Sequence, residues 1–365
     1  MDKRKLRKAV KRISSLPLNR YLLIYLVNKI NHYYLRLTRS TRVAFPSTIM
    51  IELTNNCNLQ CTTCPRQYNY GKVMAKGSMP VENAKRIIDQ SWPYLDSIGL
   101  TGMGETFLYK EIDEVVDYIR SKNKGIIISV STNAVLPGFI ETVKPLVSKI
   151  DTIQISTDGL GNIYENIRRG ASFSTLDRNI RLLSGLCRDS GTDIILNMVV
   201  TRENFSQMPE MIRYAEETGV RYMDFTLYNL ASVTDTDISY YEFYKSAEFL
   251  EALKQMDTEA ASHKNVTVTG RNFSTQNGFR KCPFPWTHYY ISWDGFIPPC
   301  CAKPFPLEYN FGNVISEGLK TTLNSNSFRA FRKMWYKNQT PSFCDKCHFI
   351  GIEPVQSAPP HSHRS

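Results

Sequence analysis

Between Ser47 and Tyr228 the apolar positions alternate between two periods. Six short runs rich in Ile and Val lie at 47–53, 97–101, 125–131, 152–156, 193–200 and 222–227. Runs of this length and make-up predict buried parallel strands. Between them the apolar positions recur at helical spacing near 80–92, 110–122, 137–148, 174–188 and 207–219. Pro80 suits a first helical turn, and Gly219 suits a C-terminal cap. Strands alternating with helices predict a parallel sheet with right-handed crossovers. Six units, not eight, predict an α/β fold that closes only partly, a partial (β/α)6 barrel. Functional groups on such sheets gather at the C-terminal strand ends.

Four segments fall outside the alternation. Residues 1–45 read as a basic amphipathic helical leader before a core at 46–228. Residues 229–275 read as a helical connector, with one helix from Ile238 to Met256 rich in Tyr and Phe. Residues 276–350 form a small cysteine-rich module, and 351–365 a disordered Pro/Ser/His tail. The chain has 365 residues, 42% hydrophobic, enough for a large core plus a module. Its formal charge of +11 belongs to the leader, which has twelve Lys or Arg and one acid. The remainder is balanced, which speaks against a nucleic-acid groove in the body. The leader's apolar run, Tyr21–Val27, is far below the ~20 residues that span a bilayer. It has no small-residue cleavage site, so a signal peptide is not expected. The leader suits either an anionic membrane surface or a helix packed outside the core. Nine cysteines in mostly tight spacings, without a secretory leader, indicate a reducing, cytoplasmic setting and metal ligation.

Candidate chemistry begins just after the first strand. Cys57, Cys61 and Cys64 are spaced C-x3-C-x2-C. Three thiolates on one tight loop can hold three corners of a [4Fe–4S] cube and leave one iron open. Structural zinc would need a fourth ligand, and no His or Cys follows until Cys187. This spacing, placed after a strand, resembles the radical S-adenosylmethionine (SAM) enzymes. The resemblance implies that SAM chelates the open iron and is cleaved to a radical that abstracts hydrogen from substrate. It implies an electron donor of flavodoxin or ferredoxin type. It also implies SAM contacts from Gly102, Met103, Gly104 and Glu105, from Ser131 and Asn133, from Ser156, and from Arg169. Asn197 is a further SAM candidate, as a polar residue in an apolar strand that needs a partner. One departure is Thr63, where the family commonly has an aromatic residue near the adenine. Asp158 is a candidate for touching substrate or capping a helix, and Arg169 for facing SAM or substrate. Cys187 reads as a small core hydrophobe.

The module holds Cys282, Cys300, Cys301, Cys344 and Cys347. Asp294-Gly295 between apolar runs predicts a hairpin that brings Cys282 and Cys300 together. Cys282, Cys300, Cys344 and Cys347 suit a second [4Fe–4S] cluster or an all-cysteine zinc site, and spacing does not separate these. Cys-x12-Gly-x4-Cys, then Phe311-Gly312-Asn313-Val314, then C-x2-C, is similar to the SPASM/twitch module, in its shorter twitch form. That resemblance implies an auxiliary [4Fe–4S] cluster.

Two clusters suit oxidation of a small polar, sugar-like or cyclitol substrate, the auxiliary cluster taking the second electron. Epimerisation is an alternative, with Cys187 or Cys301 as hydrogen donor. Maturation of a ribosomal peptide is another. A reading from a different class is a zinc protein without catalysis that binds a membrane or nucleic acid.

Overall fold

The computed structural model describes residues 20–270, 282, 284–339, 341–344 and 346–348. The basic run before Arg20, the end of the connector and the tail lie outside the described residues.

The six expected strands form with ends shifted by at most two residues. They are β1 (Thr48–Ile51), β2 (Ser97–Leu100), β3 (Ile127–Thr132), β4 (Thr152–Ser156), β5 (Asp193–Val200) and β6 (Tyr222–Leu227). Two more strands flank them, β7 (Thr267–Thr269) and β8 (His288–Ile291). All pairings are parallel, in the order β7-β6-β5-β4-β3-β2-β1-β8. Sequential order with unjoined ends is the open sheet that the helical crossovers predict. The crossover helices are Val81–Ser91, Ile112–Lys122, Phe139–Val143, Phe173–Cys187 and Met208–Glu217.

The two faces of the sheet differ. Ile49, Ile98, Ile128, Ile153, Leu196 and Met223 point into the helical layer and are wholly buried. Their neighbours Met50, Ser129, Gln154, Asp224 and Thr226 face the concave side and keep some exposure. A parallel sheet covered by helices on one side only leaves this second face open to a ligand.

Three expectations change. Pro80 is the N-cap residue of its helix (φ −55°, ψ 134°) rather than a residue of the first turn. Gly219 does take the left-handed conformation that ends a helix, at φ +74°. The connector helix divides: a 3-10 stretch, Ile238–Lys245, stops at Ser246. Its side chain accepts from Phe249 N–H and caps a new helix, Ala247–Ser262. The hairpin is a tight turn without two paired arms. Gly295, at φ +90°, closes it, with Ser292 N–H on Phe296 O at 2.9 Å. The first arm becomes β8 on the open edge of β1, and Phe296 pairs with Asn313 instead.

The leader's described helix, α1 (Arg20–Leu37), packs outside the core. Tyr25 Oη donates to Asp96 Oδ1 at 2.6 Å, Lys29 pairs with the same carboxylate, and Asn28 Nδ2 donates to Phe45 O at 2.9 Å. No helix of the described residues is long and apolar enough to cross a membrane.

Candidate active site

The cysteine loop runs from the end of β1 across the C-terminal ends of β2, β3 and β4. Each strand end grips it. Glu105 N–H donates to Asn56 O at 2.8 Å, and Asn133 Nδ2 donates to Asn58 Oδ1 at 2.8 Å. Gln60 N–H and Thr62 N–H donate to Arg169 O and Ile167 O at 3.0 and 2.8 Å. Tyr68 Oη donates to Thr62 O at 2.7 Å, folding an aromatic ring back onto the loop that carries Thr63.

Gly104 is required by this closure. A Cβ there would lie 2.4 Å from Thr54 O and 2.5 Å from Asn56 O. Gly102 likewise sits against Glu52, whose Cγ would be 2.3 Å from an added Cβ. We expect Gly104→Ala to fold, at a cost of ~1–3 kcal/mol for overpacking. SAM cleavage should fall further than iron content, because the strand-end loop must retreat from the cysteine loop. Equal loss of both would contradict this.

Glu105 is 2% exposed, and its carboxylate is already engaged. It accepts from Thr132 Oγ1 at 2.6 Å, Asn133 N–H at 2.7 Å and Phe107 N–H at 3.2 Å. Burial raises its pKa, and these donors work against the rise. Glu105 therefore sets the shape of the loop. Asn133 divides its groups between Asn58 and Val135 N–H. Ser131 N–H donates to Thr101 Oγ1 at 3.0 Å, while the Ser131 and Ser156 side chains lie on the concave face. Asn197, which pairs in register with Ser156, finds its partner inside the protein: its Nδ2 donates to Thr226 Oγ1 at 2.8 Å.

Arg169 is exposed, while Arg168 turns inward. Its Nη2 is 2.8 Å from Asp158 Oδ2, and its Nη1 is 3.9 Å from Cys61 Sγ. Burial works against its charge, but Asp158 and Cys61 hold its pKa above the ordinary value. Asp158 is wholly buried and also accepts from Val199 N–H at 2.8 Å. Cys187 ends the helix before β5, at the N-terminal edge of the sheet and away from the cysteine loop. Burial pushes its thiol up to about 11.

Two residues that the sequence did not single out are Glu52 and Arg168. The buried Glu52 carboxylate accepts from Met103 N–H at 2.7 Å, Tyr290 Oη at 2.6 Å and Trp293 N–H at 3.2 Å. It ties the cysteine-loop strand, the Gly102–Glu105 loop and the C-terminal module together. Its only sequence signal is an acid inside an Ile-rich strand. Arg168 has none, because adjacent arginines in a loop look alike.

In the module, Cys282, Cys300, Cys344 and Cys347 line one small cavity of ≈ 30 Å³ together with Phe331, Trp335 and Lys303. Cys301 is not among the lining residues. It lies within electrostatic range of Cys282 and of Tyr290. Burial pushes the thiols up, Cys61 to about 11 and Cys282 to about 12, and neighbouring thiols add to the rise. Such groups ionise when a metal replaces their protons. Among the described residues no three His, Cys, Asp or Glu groups converge on a single-ion centre. Four sulfurs around a walled space fit a cluster, and three on one loop fit a cluster with an open corner.

Residues 51–215 match the Radical SAM superfamily profile, and residues 282–348 match that of the SPASM iron–sulfur cluster-binding domain. The chain is therefore a radical SAM enzyme with a C-terminal SPASM domain, which implies a [4Fe–4S] cluster, SAM and auxiliary iron–sulfur clusters. Among its relatives is AlbA, the antilisterial bacteriocin subtilosin biosynthesis protein of Bacillus subtilis. The two are 24% identical over 336 residues, 90% of this chain and 71% of AlbA. The AdoMet-dependent heme synthase of Nitratidesulfovibrio vulgaris is 24% identical over 319 residues, 82% of this chain and 83% of that one. The fold resembles that of Streptococcus suis SuiB, solved with its precursor peptide SuiA, at a TM-score of 0.67 and 16% identity. That match covers 90% of this chain and 75% of SuiB.

Proposed function

We propose that this protein is a radical SAM maturase that modifies a peptide. The observation that carries this is the similarity to AlbA, which extends over 90% of the chain. It favours the peptide alternative over the small sugar-like substrate that two clusters alone suggested.

In this reading Cys57, Cys61 and Cys64 hold the SAM cluster, and Cys282, Cys300, Cys344 and Cys347 an auxiliary one. When bound, these groups supply a radical able to take a hydrogen atom from substrate and a sink for the remaining electron. A flavodoxin- or ferredoxin-like protein supplies the reducing electron. The chain's own residues do the positioning. Glu105 and Gly104 fix the β2 loop against the cysteine loop, and Asn133 pins that loop through Asn58. Arg168 sets one fixed positive charge beside Cys61, which favours an anionic thiolate there. Ser131, Ser156 and Asp224 on the open concave face offer hydrogen bonds to a substrate backbone. Glu52 sets the spacing between the two cysteine sites.

The test is anaerobic turnover with SAM and reductant. Short peptides encoded beside its gene are compared with a panel of sugars and cyclitols. A peptide losing hydrogens in step with 5′-deoxyadenosine formation supports the reading. Coupled oxidation of a sugar or cyclitol, with every peptide unchanged, would replace it.

A further inference from the structure

The outer face of α1 is apolar and uncovered. Leu23, Leu26, Val27, Ile30, Tyr33 and Leu37 recur at three- and four-residue spacing and are 47% to 71% exposed. At 1.5 Å per residue this stripe extends ~20 Å along the helix. Seven of the twelve exposed large apolar side chains among the described residues are on this helix. Concentration of that kind marks an interaction surface. The stripe is also fixed in direction. The opposite face is bound to the core by Tyr25 and Lys29 at Asp96, by Asn28 at Phe45, and by the Tyr21 ring 4.5 Å from Trp92. Turning the stripe inward would break all of these.

The sequence next to the stripe limits what can cover it. Residues 1–19 carry seven Lys or Arg and one acid, while the chain from residue 46 onward is balanced. A second copy packed through α1 would bring two strongly basic segments together. An anionic lipid surface meets both features: the stripe enters the headgroup boundary, and the basic segment lies along the charged headgroups. No helix of the described residues offers a membrane span. We propose that α1 lies flat on an anionic membrane, residues 1–19 supplying the electrostatic attraction, with the concave face of the sheet left clear for substrate.

Co-sedimentation of the full chain with vesicles tests this. The comparison is phosphatidylserine/phosphatidylcholine against phosphatidylcholine alone, at low and high salt. The full chain is expected to pellet with the anionic vesicles only and to be released by salt. Leu26→Ser with Ile30→Ser should weaken this by roughly a hundredfold, since two apolar side chains lose their burial. Its iron content and SAM cleavage should be unchanged, which shows that the fold survives. Removing residues 1–19 should abolish pelleting with the anionic vesicles. Wild type remaining in the supernatant, or the double variant pelleting equally, overturns the proposal. So does a wild-type dimer in sedimentation velocity that the double variant converts to monomer, because a second copy is then the occupant. Gain of binding to neutral vesicles after removal of residues 1–19 overturns it too, since that segment then covers the stripe.

Discussion

Replacing Cys57, Cys61 and Cys64 together by alanine is expected to remove about four irons per chain and abolish SAM cleavage. The C-terminal module should keep its own iron. The reasoning is geometric. The three thiols sit on one loop between Asn56 and Pro65, held by separate contacts to Glu105, Asn133 and the Ile167–Arg169 backbone. Cys282, Cys300, Cys344 and Cys347 surround a different cavity, walled by Phe331 and Trp335. The two cysteine sets sit on separate segments, bridged by the Glu52 carboxylate at Met103, Tyr290 and Trp293, so emptying one leaves the other's ligands in place. After anaerobic reconstitution, iron and sulfide should fall from about eight to about four per chain. Replacing the four module cysteines should give a similar loss of iron, but SAM cleavage should persist while product formation fails. A wild type with about four irons, falling to none in the triple variant, would mean that the module holds no cluster. A two-electron oxidation would then have lost its proposed electron acceptor.

How far the sequence reveals this arrangement depends on the range of the signals. The six strands of the core are legible because each is a short apolar-rich run bounded by helical spacing, with Ile or Val in β1 to β5. β7 and β8 are not. They have three and four residues, and β8 pairs with β1 some 240 positions away, so nothing local names its partner. The cysteines proposed as ligands are legible by type and spacing. The side chains that position them are less so. Glu105 belongs to a recognised motif, yet its carboxylate is satisfied by Thr132, Asn133 and Phe107. The motif marks the position, while these three contacts come from the fold. Asp158, just after β4, and Asn197, within β5, are polar residues that look available for ligands. The fold gives them Arg168 and Val199, and Thr226, as partners. Arg168 and Arg169 are separated only by the direction of a loop whose backbone is hydrogen-bonded to the cysteine loop. Tertiary pairing of that kind leaves no periodic trace in sequence.

Arg168→Met is expected to destabilise the fold by ~3–5 kcal/mol, a large loss for a single side chain at the edge of a loop. Asp158 has no exposure, and the Arg168 guanidinium is its only cationic partner among the described residues. Removing the guanidinium leaves a carboxylate buried without compensation, and that costs more than the pair itself contributes. Two things follow. Asp158→Asn in the Arg168→Met background should recover much of the loss, since the neutral amide oxygen can still accept from Val199 N–H. The two single changes should therefore be strongly non-additive in a double-mutant cycle. The second consequence concerns the cluster loop. Arg168 is also the positive charge next to Cys61 Sγ, at 3.9 Å. The double variant should therefore regain thermal stability without regaining full iron occupancy. Thermal denaturation and iron analysis on the same preparations separate these effects. Additive losses in stability would show that the pair is not coupled. Full iron in the stable double variant would show that Arg168 serves the fold alone and does not help to hold the thiolates.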